Sequence, residues 1–297
     1  MTSILTLIAG IGAGIADDVV APAIAALGEA GAQVGAPLWL APGTACDIPF
    51  EGIEPATAER AVRGRLDGAP VDLAAQRARG RRKKLLVADM ESTIITRELL
   101  DELGAMIGLA DRIRPITARA MRGEIDFAGA LRERVALLRG QPATILDRVA
   151  ERIELMPGAR RLVQTMRAQG AHAALVSGGF DCFTALAAKA AGFDEHHANR
   201  LLIADGRLVG RVVEPILDRT GKQAVLKELA AARGLALEDA AAVGDGANDI
   251  PMLQAAGLGV AFRGKPAVAA AARFRLDHAD LTGLLYLQGY RPEEFRE

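Results

Sequence analysis

The sequence predicts an α/β protein in which a doubly wound parallel sheet follows a smaller α+β unit. Short apolar runs at residues 85–88, 173–176 and 240–243 alternate with helical segments, as is typical of parallel strands joined by helices. Residues 1–80 follow the order strand, helix, strand, an optional further strand, helix, strand. That order favours a ferredoxin-like sandwich ahead of the parallel sheet.

In the first unit, apolar spacing predicts strands at residues 3–9, 34–40 and 71–76, with helices at 17–30 and 57–66. Pro37 predicts that the second of these strands is irregular or lies at an edge, because proline cannot donate to a ladder.

A basic run at residues 77–84 separates the two units and predicts a solvated linker, so we expect domains at 1–80 and 81–297. Residues 97–155 show helical patterns and no strong strand, which predicts a helical cap inserted into the second domain. Further along, Asp205 and Gly206 are flanked by apolar residues. This pair predicts a β-hairpin.

Composition excludes several classes of protein. The chain has 297 residues, 51% of them hydrophobic, with a formal net charge of -1 and 4% aromatics. Ample apolar material argues against global disorder, and the neutral balance argues against nucleic-acid or anionic-membrane partners. The two cysteines form no metal-binding or disulfide pattern. The apolar run at residues 4–16 lacks a preceding basic residue and is too short to span a bilayer, so a soluble, cytoplasmic protein is expected.

Polar residues cluster where the predicted parallel strands end. The first strand is followed by Asp89 and Glu91, the second by Ser177 and Gly178, and the third by the segment 244–249, GDGAND. Ligands bind at the carboxyl ends of strands in open parallel sheets, so these groups should converge on one site.

The chemistry of these groups fits phosphoryl transfer. Closely spaced carboxylates repel one another unless a divalent cation neutralises them, and a site with oxygen ligands alone favours Mg²⁺. A serine hydroxyl and backbone N–H groups at a helix start form an anion cradle. Lys222, just before a predicted helix, is the best candidate to neutralise phosphate. No P-loop or dinucleotide fingerprint accompanies these motifs.

Together, the motifs over residues 84–285 resemble the haloacid dehalogenase superfamily of aspartyl-nucleophile phosphatases, and within it the phosphoserine phosphatases. The superfamily's Asp-x-Asp-x-Thr motif stands here as Asp89-Met-Glu91-Ser-Thr93, with Glu91 where the family usually has Asp. The serine, lysine and double-aspartate motifs match Ser177, Lys222 and the GDGAND segment.

The resemblance implies a role for each motif residue. Asp89 would be the nucleophile and Glu91 the general acid and base, while Mg²⁺ would be held by Asp89, the Glu91 carbonyl and Asp245. The phosphoryl group would be bound by Ser177, the Gly178 N–H and Lys222. Asn248 would contact substrate or phosphate, and Asp249 would support the metal shell.

The helical insert resembles the phosphoserine-type cap. There Glu98 would bind the substrate ammonium and Arg134 its carboxylate, while Met121 and Phe127 would line the cap side. Residues 1–80 resemble, more weakly, the ACT-like domains ahead of some bacterial phosphoserine phosphatases. Regulation, assembly as a homodimer and mere solubility all stay open as roles for this unit.

The resulting hypothesis is a Mg²⁺-dependent enzyme that hydrolyses O-phospho-L-serine to L-serine and phosphate. Another small phosphomonoester such as phosphohomoserine, or transfer of phosphate to an alcohol, is the enzymatic alternative. A catalytically weak, amino-acid-binding regulatory protein is the alternative from another class. The intact set of Asp89, Ser177, Lys222 and Asp245 speaks against it.

Overall fold

The first unit is an antiparallel sheet covered by two helices. The computed structural model describes residues 1–122 and 124–297, without the side chain of Met121. The elements of this unit are β1 (Ser3–Ala9), α1 (Asp17–Glu29), β2 (Gln33–Val34), β3 (Leu38–Ala41), β4 (Ala45–Glu51), α2 (Pro55–Arg65) and β5 (Val71–Arg77). The strand order is β2-β4-β1-β5, with β3 paired to β4. This is the predicted ferredoxin-like arrangement.

The strand predicted at residues 34–40 is irregular, as Pro37 predicts, but it is not one continuous strand. The structure has two short strands there, β2 and β3, and Pro37 lies in the break between them. The next strand, β4, lies beside β1 in the middle of the sheet and takes the place of the optional further strand, to which no residues were assigned.

The second unit contains a parallel sheet of order β13-β12-β11-β6-β7-β8. Its strands are β6 (Leu85–Ala88), β7 (His172–Phe180), β8 (Glu195–Asn199), β11 (Ala240–Gly244), β12 (Leu258–Phe262) and β13 (Phe274–Leu276). The helices around it are α7 (Ala159–Ala168), α8 (Asp181–Ala191), α9 (Arg219–Ala232), α10 (Ile250–Ala255), α11 (Pro266–Ala271) and α12 (Gly283–Leu287). The predicted α/β class is therefore confirmed.

Strand β6 shows why the strands of this sheet are continuous apolar runs in the sequence. Leu86 and Ala88 pack into one hydrophobic core, whereas Leu85 and Val87 pack into another on the opposite face. Because helices cover both faces, every residue of the strand is buried and the alternation seen in half-exposed strands is absent.

Helices fill the insert after β6, and a hairpin lies beyond β8. The insert holds α3 (Leu99–Met106), α4 (Ala110–Met121), α5 (Phe127–Ala136) and α6 (Ile145–Ala150). The hairpin strands are β9 (Leu201–Ala204) and β10 (Arg207–Val212). Asp205 and Gly206 form its turn with φ of 50° and 70°, so the predicted hairpin is confirmed.

The prediction that residues 77–84 form a solvated linker is wrong for two of the basic side chains. Arg81 Nη1 lies 2.6 Å from Asp47 Oδ2, and the Arg81 side chain is only 11% exposed. Lys83 is buried and its Nζ donates to the carbonyls of Gly80 and Glu238. Arg81 and Lys83 are thus bonded to groups that the fold brings to this run, Asp47 and the Glu238 carbonyl, which the sequence of the run alone does not reveal.

Within the described residues, 1–122 and 124–297, every helix is too short or too polar to cross a membrane.

Candidate active site

The parallel sheet brings the polar strand ends together. Strand β6 lies between β7 and β11, so Asp89, at the end of β6, has the ends of both neighbours beside it. The Asp89 N–H donates to the carbonyl of Val243 at 2.9 Å, which fixes the backbone of the loop after β6 against β11. Asp245 follows β11 directly, and Ser177 lies in the last part of β7.

Three buried carboxylates form the floor of the site. Asp89, Asp245 and Asp249 each offer one oxygen, and these atoms lie within 4.8 Å of one another. Asp249 Oδ2 accepts the Gly246 N–H at 3.0 Å, which folds the GDGAND loop around its own last carboxylate. A Cβ on Gly244 would lie 2.5 Å from Asp249 Cγ, so a side chain there would displace this carboxylate.

Lys222, in helix α9, contacts this cluster of carboxylates. Its Nζ donates to Asp89 Oδ1 at 2.5 Å and to Asp249 Oδ1 at 2.7 Å, and its side chain is buried. Burial alone would lower the pKa of Lys222, but the Asp249 and Asp89 carboxylates outweigh it and raise the pKa. The lysine is therefore a cation at neutral pH, held against the Asp89 carboxylate.

The acidic cluster fits a hard divalent cation. Burial, followed by the charge of Asp249, raises the pKa of Asp89, and Lys222 offsets only part of this effect. Burial likewise raises the pKa of Asp245. Carboxylate oxygens are the ligands that such cations prefer, and a bound cation would stabilise the ionised form of both groups.

Glu91 lies between the strand-end loop and the cap. Its Oε1 accepts the N–H of Leu99, the first residue of α3, at 2.7 Å, so the cap helix orients this carboxyl group. Burial, followed by the charge of Glu98, raises the pKa of Glu91 to about 8. A raised pKa favours the protonated form of Glu91, the state that a general acid needs.

Ser177 and Gly178, which the sequence predicts to bind the phosphoryl group, lie in the last part of β7. The Gly179 N–H donates to Ser177 Oγ at 2.9 Å, which leaves the hydroxyl proton of Ser177 available to a ligand. The ring of Phe127, at the start of α5, covers Gly178. A Cβ on Gly178 would lie 2.6 Å from Phe127 Cζ, so a side chain at this position would displace the Phe127 ring.

Glu98 and Arg134 face the site from the cap. Ser92 Oγ donates to Glu98 Oε1 at 2.9 Å, and Ser92 adopts a φ of 56° in the loop that also carries Asp89. Burial lowers the pKa of Arg134, while the nearby carboxylates of Asp101, Glu91 and Glu98 oppose that effect. A cavity of about 640 Å³ opens beside Glu98 and Asp101, between α3 and α4.

Asn248 and Met121 are the other two residues that the sequence implicates. Asn248 belongs to the GDGAND loop, and its Oδ1 lies over Gly246, where a Cβ would be 2.3 Å away. Met121 ends α4, but its side chain is outside the described part of the chain, so its predicted contact stays a prediction.

Sequence reasoning missed Lys265, which follows β12 at the same edge of the sheet. Its Nζ lies 3.4 Å from Asp245 Oδ2, and its backbone N–H donates to the Asp245 carbonyl at 3.1 Å. Ligands bind at the carboxyl ends of strands in parallel sheets, so the end of β12 is also a place where functional residues such as Lys265 are expected.

Comparison with known proteins identifies relatives along the whole chain. A family model described as haloacid dehalogenase-like hydrolase matches residues 86–254. A phosphoserine phosphatase of Streptomyces coelicolor is 39% identical over 293 residues, which are 97% of this chain and 72% of that protein. A phosphoserine phosphatase of Mycobacterium tuberculosis is 47% identical over 209 residues, 70% of this chain; the match covers about half, 51%, of that relative.

Among solved structures, a HAD family hydrolase of Salmonella enterica serovar Typhi superimposes with a TM-score of 0.85 at 28% identity. The superposition covers 96% of this chain and 98% of that one, so both units have counterparts in the Salmonella protein.

Proposed function

The chain belongs to the haloacid dehalogenase-like hydrolase family, and we propose that it is a Mg²⁺-dependent phosphatase that converts O-phospho-L-serine to L-serine and phosphate. The observation that carries the proposal is the pairing of Asp89 with Lys222 beside Ser177. A carboxylate nucleophile, a buried cation and a hydroxyl donor at one sheet edge are what phosphoryl transfer requires. The substrate is taken from the phosphoserine phosphatases among the relatives.

In the first step, a carboxylate oxygen of Asp89 attacks phosphorus and the bond to the serine oxygen breaks. Glu91 donates its proton to that leaving oxygen, which departs as the hydroxyl of L-serine. In the second step, Glu91 removes a proton from water as the water attacks the aspartyl-phosphate. Phosphate leaves and Asp89 is restored as a carboxylate.

Charge on the transferring phosphoryl group is offset by groups already in place. Lys222 supplies a buried cation, and the Ser177 hydroxyl and Gly178 N–H supply donors. We propose that Asp89, the Glu91 carbonyl and Asp245 hold Mg²⁺, with Asp249 supporting them. Bound there, the cation would neutralise the phosphate and the acidic cluster together.

The cap would recognise the amino-acid part of the substrate. We assign the substrate ammonium to Glu98 and its carboxylate to Arg134, since both side chains face the site from the insert. Phe127, packed over Gly178, would exclude water from the phosphoryl group. Asn248 and Met121 are proposed as further contacts.

The two units are proposed as domains at 1–80 and 81–297, with the cap at 97–155. A hydrophobic core between the antiparallel sheet and its helices supports the first boundary. The opposite face of that sheet, through Ile8, Ala45 and Ala74, joins the main core.

A substrate panel tests the proposal. Purified protein is assayed for phosphate release from phosphoserine, phosphothreonine, phosphohomoserine and p-nitrophenyl phosphate, with Mg²⁺ and with chelator. We expect the highest kcat/KM for phosphoserine, and no turnover in chelator. A higher kcat/KM for phosphohomoserine would replace phosphoserine as the proposed substrate. Binding of phosphoserine without turnover of any ester would indicate a regulatory protein.

A further inference from the structure

Asn199 joins two parts of the anion-binding site through its side-chain amide. Its Nδ2 donates to the Gly178 carbonyl at 2.9 Å and to the Leu217 carbonyl at 3.2 Å, while its Oδ1 accepts the Leu217 N–H at 2.7 Å. The residue ends β8 and is 2% exposed. Both the nitrogen and the oxygen of the amide are therefore hydrogen-bonded within the protein.

The register of the sheet explains why a side chain is needed here. Strands β7 and β8 pair regularly as far as Val176, and the register then shifts before Phe180 meets Asn199. Gly178 lies inside that irregular stretch, and the Asn199 side chain holds its carbonyl. The irregular stretch departs from the ladder between β7 and β8, and the Asn199 amide supplies the hydrogen bond that the Gly178 carbonyl receives there.

The other partner of Asn199 leads to Lys222. Leu217 precedes Asp218, whose Oδ1 accepts the N–H groups of Thr220 and Gly221 and so begins helix α9. Lys222 lies in the first turn of that helix. Fixing the backbone of Leu217 thus fixes where α9 begins and where the Lys222 side chain enters the site.

We propose that Asn199 is a positioning residue that sets the distance between the Ser177–Gly178 donors and Lys222; the inference rests on the proposed phosphatase function. The two sets of phosphate-binding groups belong to different elements, β7 and α9, and the amide of Asn199 connects them directly. It acts through these groups and does not touch the substrate.

Two substitutions separate this role from simple packing. Asn199→Ala removes all three hydrogen bonds and leaves a cavity. Asn199→Asp keeps the side-chain volume and an acceptor for the Leu217 N–H, but sets a carboxylate oxygen against the Gly178 and Leu217 carbonyls. Both variants lose the hydrogen bonds that connect the Gly178 and Leu217 carbonyls. Only Asn199→Ala also loses side-chain volume.

The matched control is Gln288→Ala. Gln288 is also a buried amide with three partners: its Nε2 donates to the Leu284 carbonyl and Met166 Sδ, and its Oε1 accepts the Lys83 N–H. These partners lie outside the proposed active site. The control therefore loses a comparable set of hydrogen bonds and comparable stability without disturbing the anion-binding groups.

The readouts are kcat/KM per folded protein and the affinity for orthovanadate, a phosphate mimic, at a temperature where circular dichroism shows each variant folded. We expect both Asn199 variants to lose about 10- to 100-fold in kcat/KM, the scale of a misplaced catalytic group. The loss should be equal for phosphoserine and p-nitrophenyl phosphate, since the phosphate end is affected. Orthovanadate affinity should fall in parallel, whereas Gln288→Ala should retain wild-type values.

Wild-type kcat/KM and orthovanadate affinity in the folded Asn199 variants would overturn the proposal, as would failure of both variants to fold at any temperature. A loss confined to phosphoserine would overturn it too, because the effect would then lie in amino-acid recognition. If the wild-type protein hydrolyses no phosphomonoester, the proposed function fails instead. The orthovanadate comparison still decides whether Asn199 positions the anion site.

Discussion

The ammonium of Lys222 lies 2.5 Å from a carboxylate oxygen of Asp89, and both side chains are buried. A buried ion pair is weak evidence for stability, because desolvating two charges costs about as much as their attraction returns. The pair is better explained by function. If Asp89 is the nucleophile, as proposed, a cation held beside it would meet the phosphoryl group with little reorganisation during the reaction.

Glu91→Gln should separate the two half-reactions. Glutamine cannot protonate the serine oxygen, so phosphoserine turnover should fall by about 10²- to 10⁴-fold, the range for a lost general acid. The p-nitrophenolate leaving group needs no acid, so p-nitrophenyl phosphate should give a burst of about one product per enzyme and then stall. Stopped-flow absorbance measures this. Equal steady-state rates in Glu91→Gln and the wild type would show that Glu91 is not the general acid. Glu91→Asp keeps a carboxylic acid and should restore turnover.

Asp245→Asn should lose the divalent cation. It replaces a buried carboxylate of the acidic cluster with a neutral amide, so Mg²⁺ binding measured by calorimetry should weaken and kcat should fall at least about 10²-fold. Asp17→Asn, at an exposed position in the first unit, serves as the control and should match the wild type. Unchanged Mg²⁺ affinity in Asp245→Asn would place the metal elsewhere.

Arg134→Ala should change substrate choice. Loss of a charge partner in a desolvated site typically costs about 30- to 4,000-fold, so kcat/KM for phosphoserine should fall on that scale. The value for p-nitrophenyl phosphate, which has no carboxylate, should change little. Arg134→Lys should rescue only in part, because an ammonium cannot reproduce the two-pronged guanidinium contact.

The control for this experiment lies on the same helix. Arg132 is exposed and pairs with Glu214, so Arg132→Ala should leave both substrates unaffected. Equal losses on both substrates in Arg134→Ala would mean that the arginine shapes the cap and does not recognise the amino acid.

Asp72→Ala should destabilise the contact between the two units. Asp72 is buried in β5 and accepts the N–H groups of Asp277, His278 and Ala279, at 2.7, 3.1 and 2.8 Å. Leaving these donors unpaired should cost at least about 2 kcal/mol of unfolding free energy in urea titrations. Exposed Asp67→Ala should stay within about 0.5 kcal/mol of wild type. A similar small effect for Asp72→Ala would show that the units are only loosely joined.

The parts of the fold that follow from local chemistry could be predicted from the sequence. The Asp205-Gly206 turn is an example, since its backbone conformation is set by the residues themselves. The optional further strand, β4, was not located because Pro49 interrupts its pattern, and proline ordinarily argues against a central strand. Arg81 was missed as a structural residue because its partner Asp47 is 34 positions away.

In the candidate site, too, some features follow from the local sequence and others depend on tertiary contacts. Acidic residues after apolar runs are visible in the sequence, and the strand order follows from general rules for parallel sheets. Lys265 follows a strand end, where the same rule predicts functional residues, but its contact with Asp245 and the contact of Asn199 with Gly178 depend on the tertiary structure. The contact of Glu91 with the start of α3 likewise depends on where the cap packs.

Trapping the covalent intermediate tests the central claim most directly. Protein is mixed with phosphoserine radiolabelled at phosphorus in the presence of Mg²⁺, quenched in acid within milliseconds, and digested for peptide analysis. The account predicts an acid-stable, hydroxylamine-sensitive phosphoryl label on Asp89, and neither label nor turnover in Asp89→Asn. Turnover of phosphoserine with no label on Asp89, or undiminished turnover by Asp89→Asn, would contradict it.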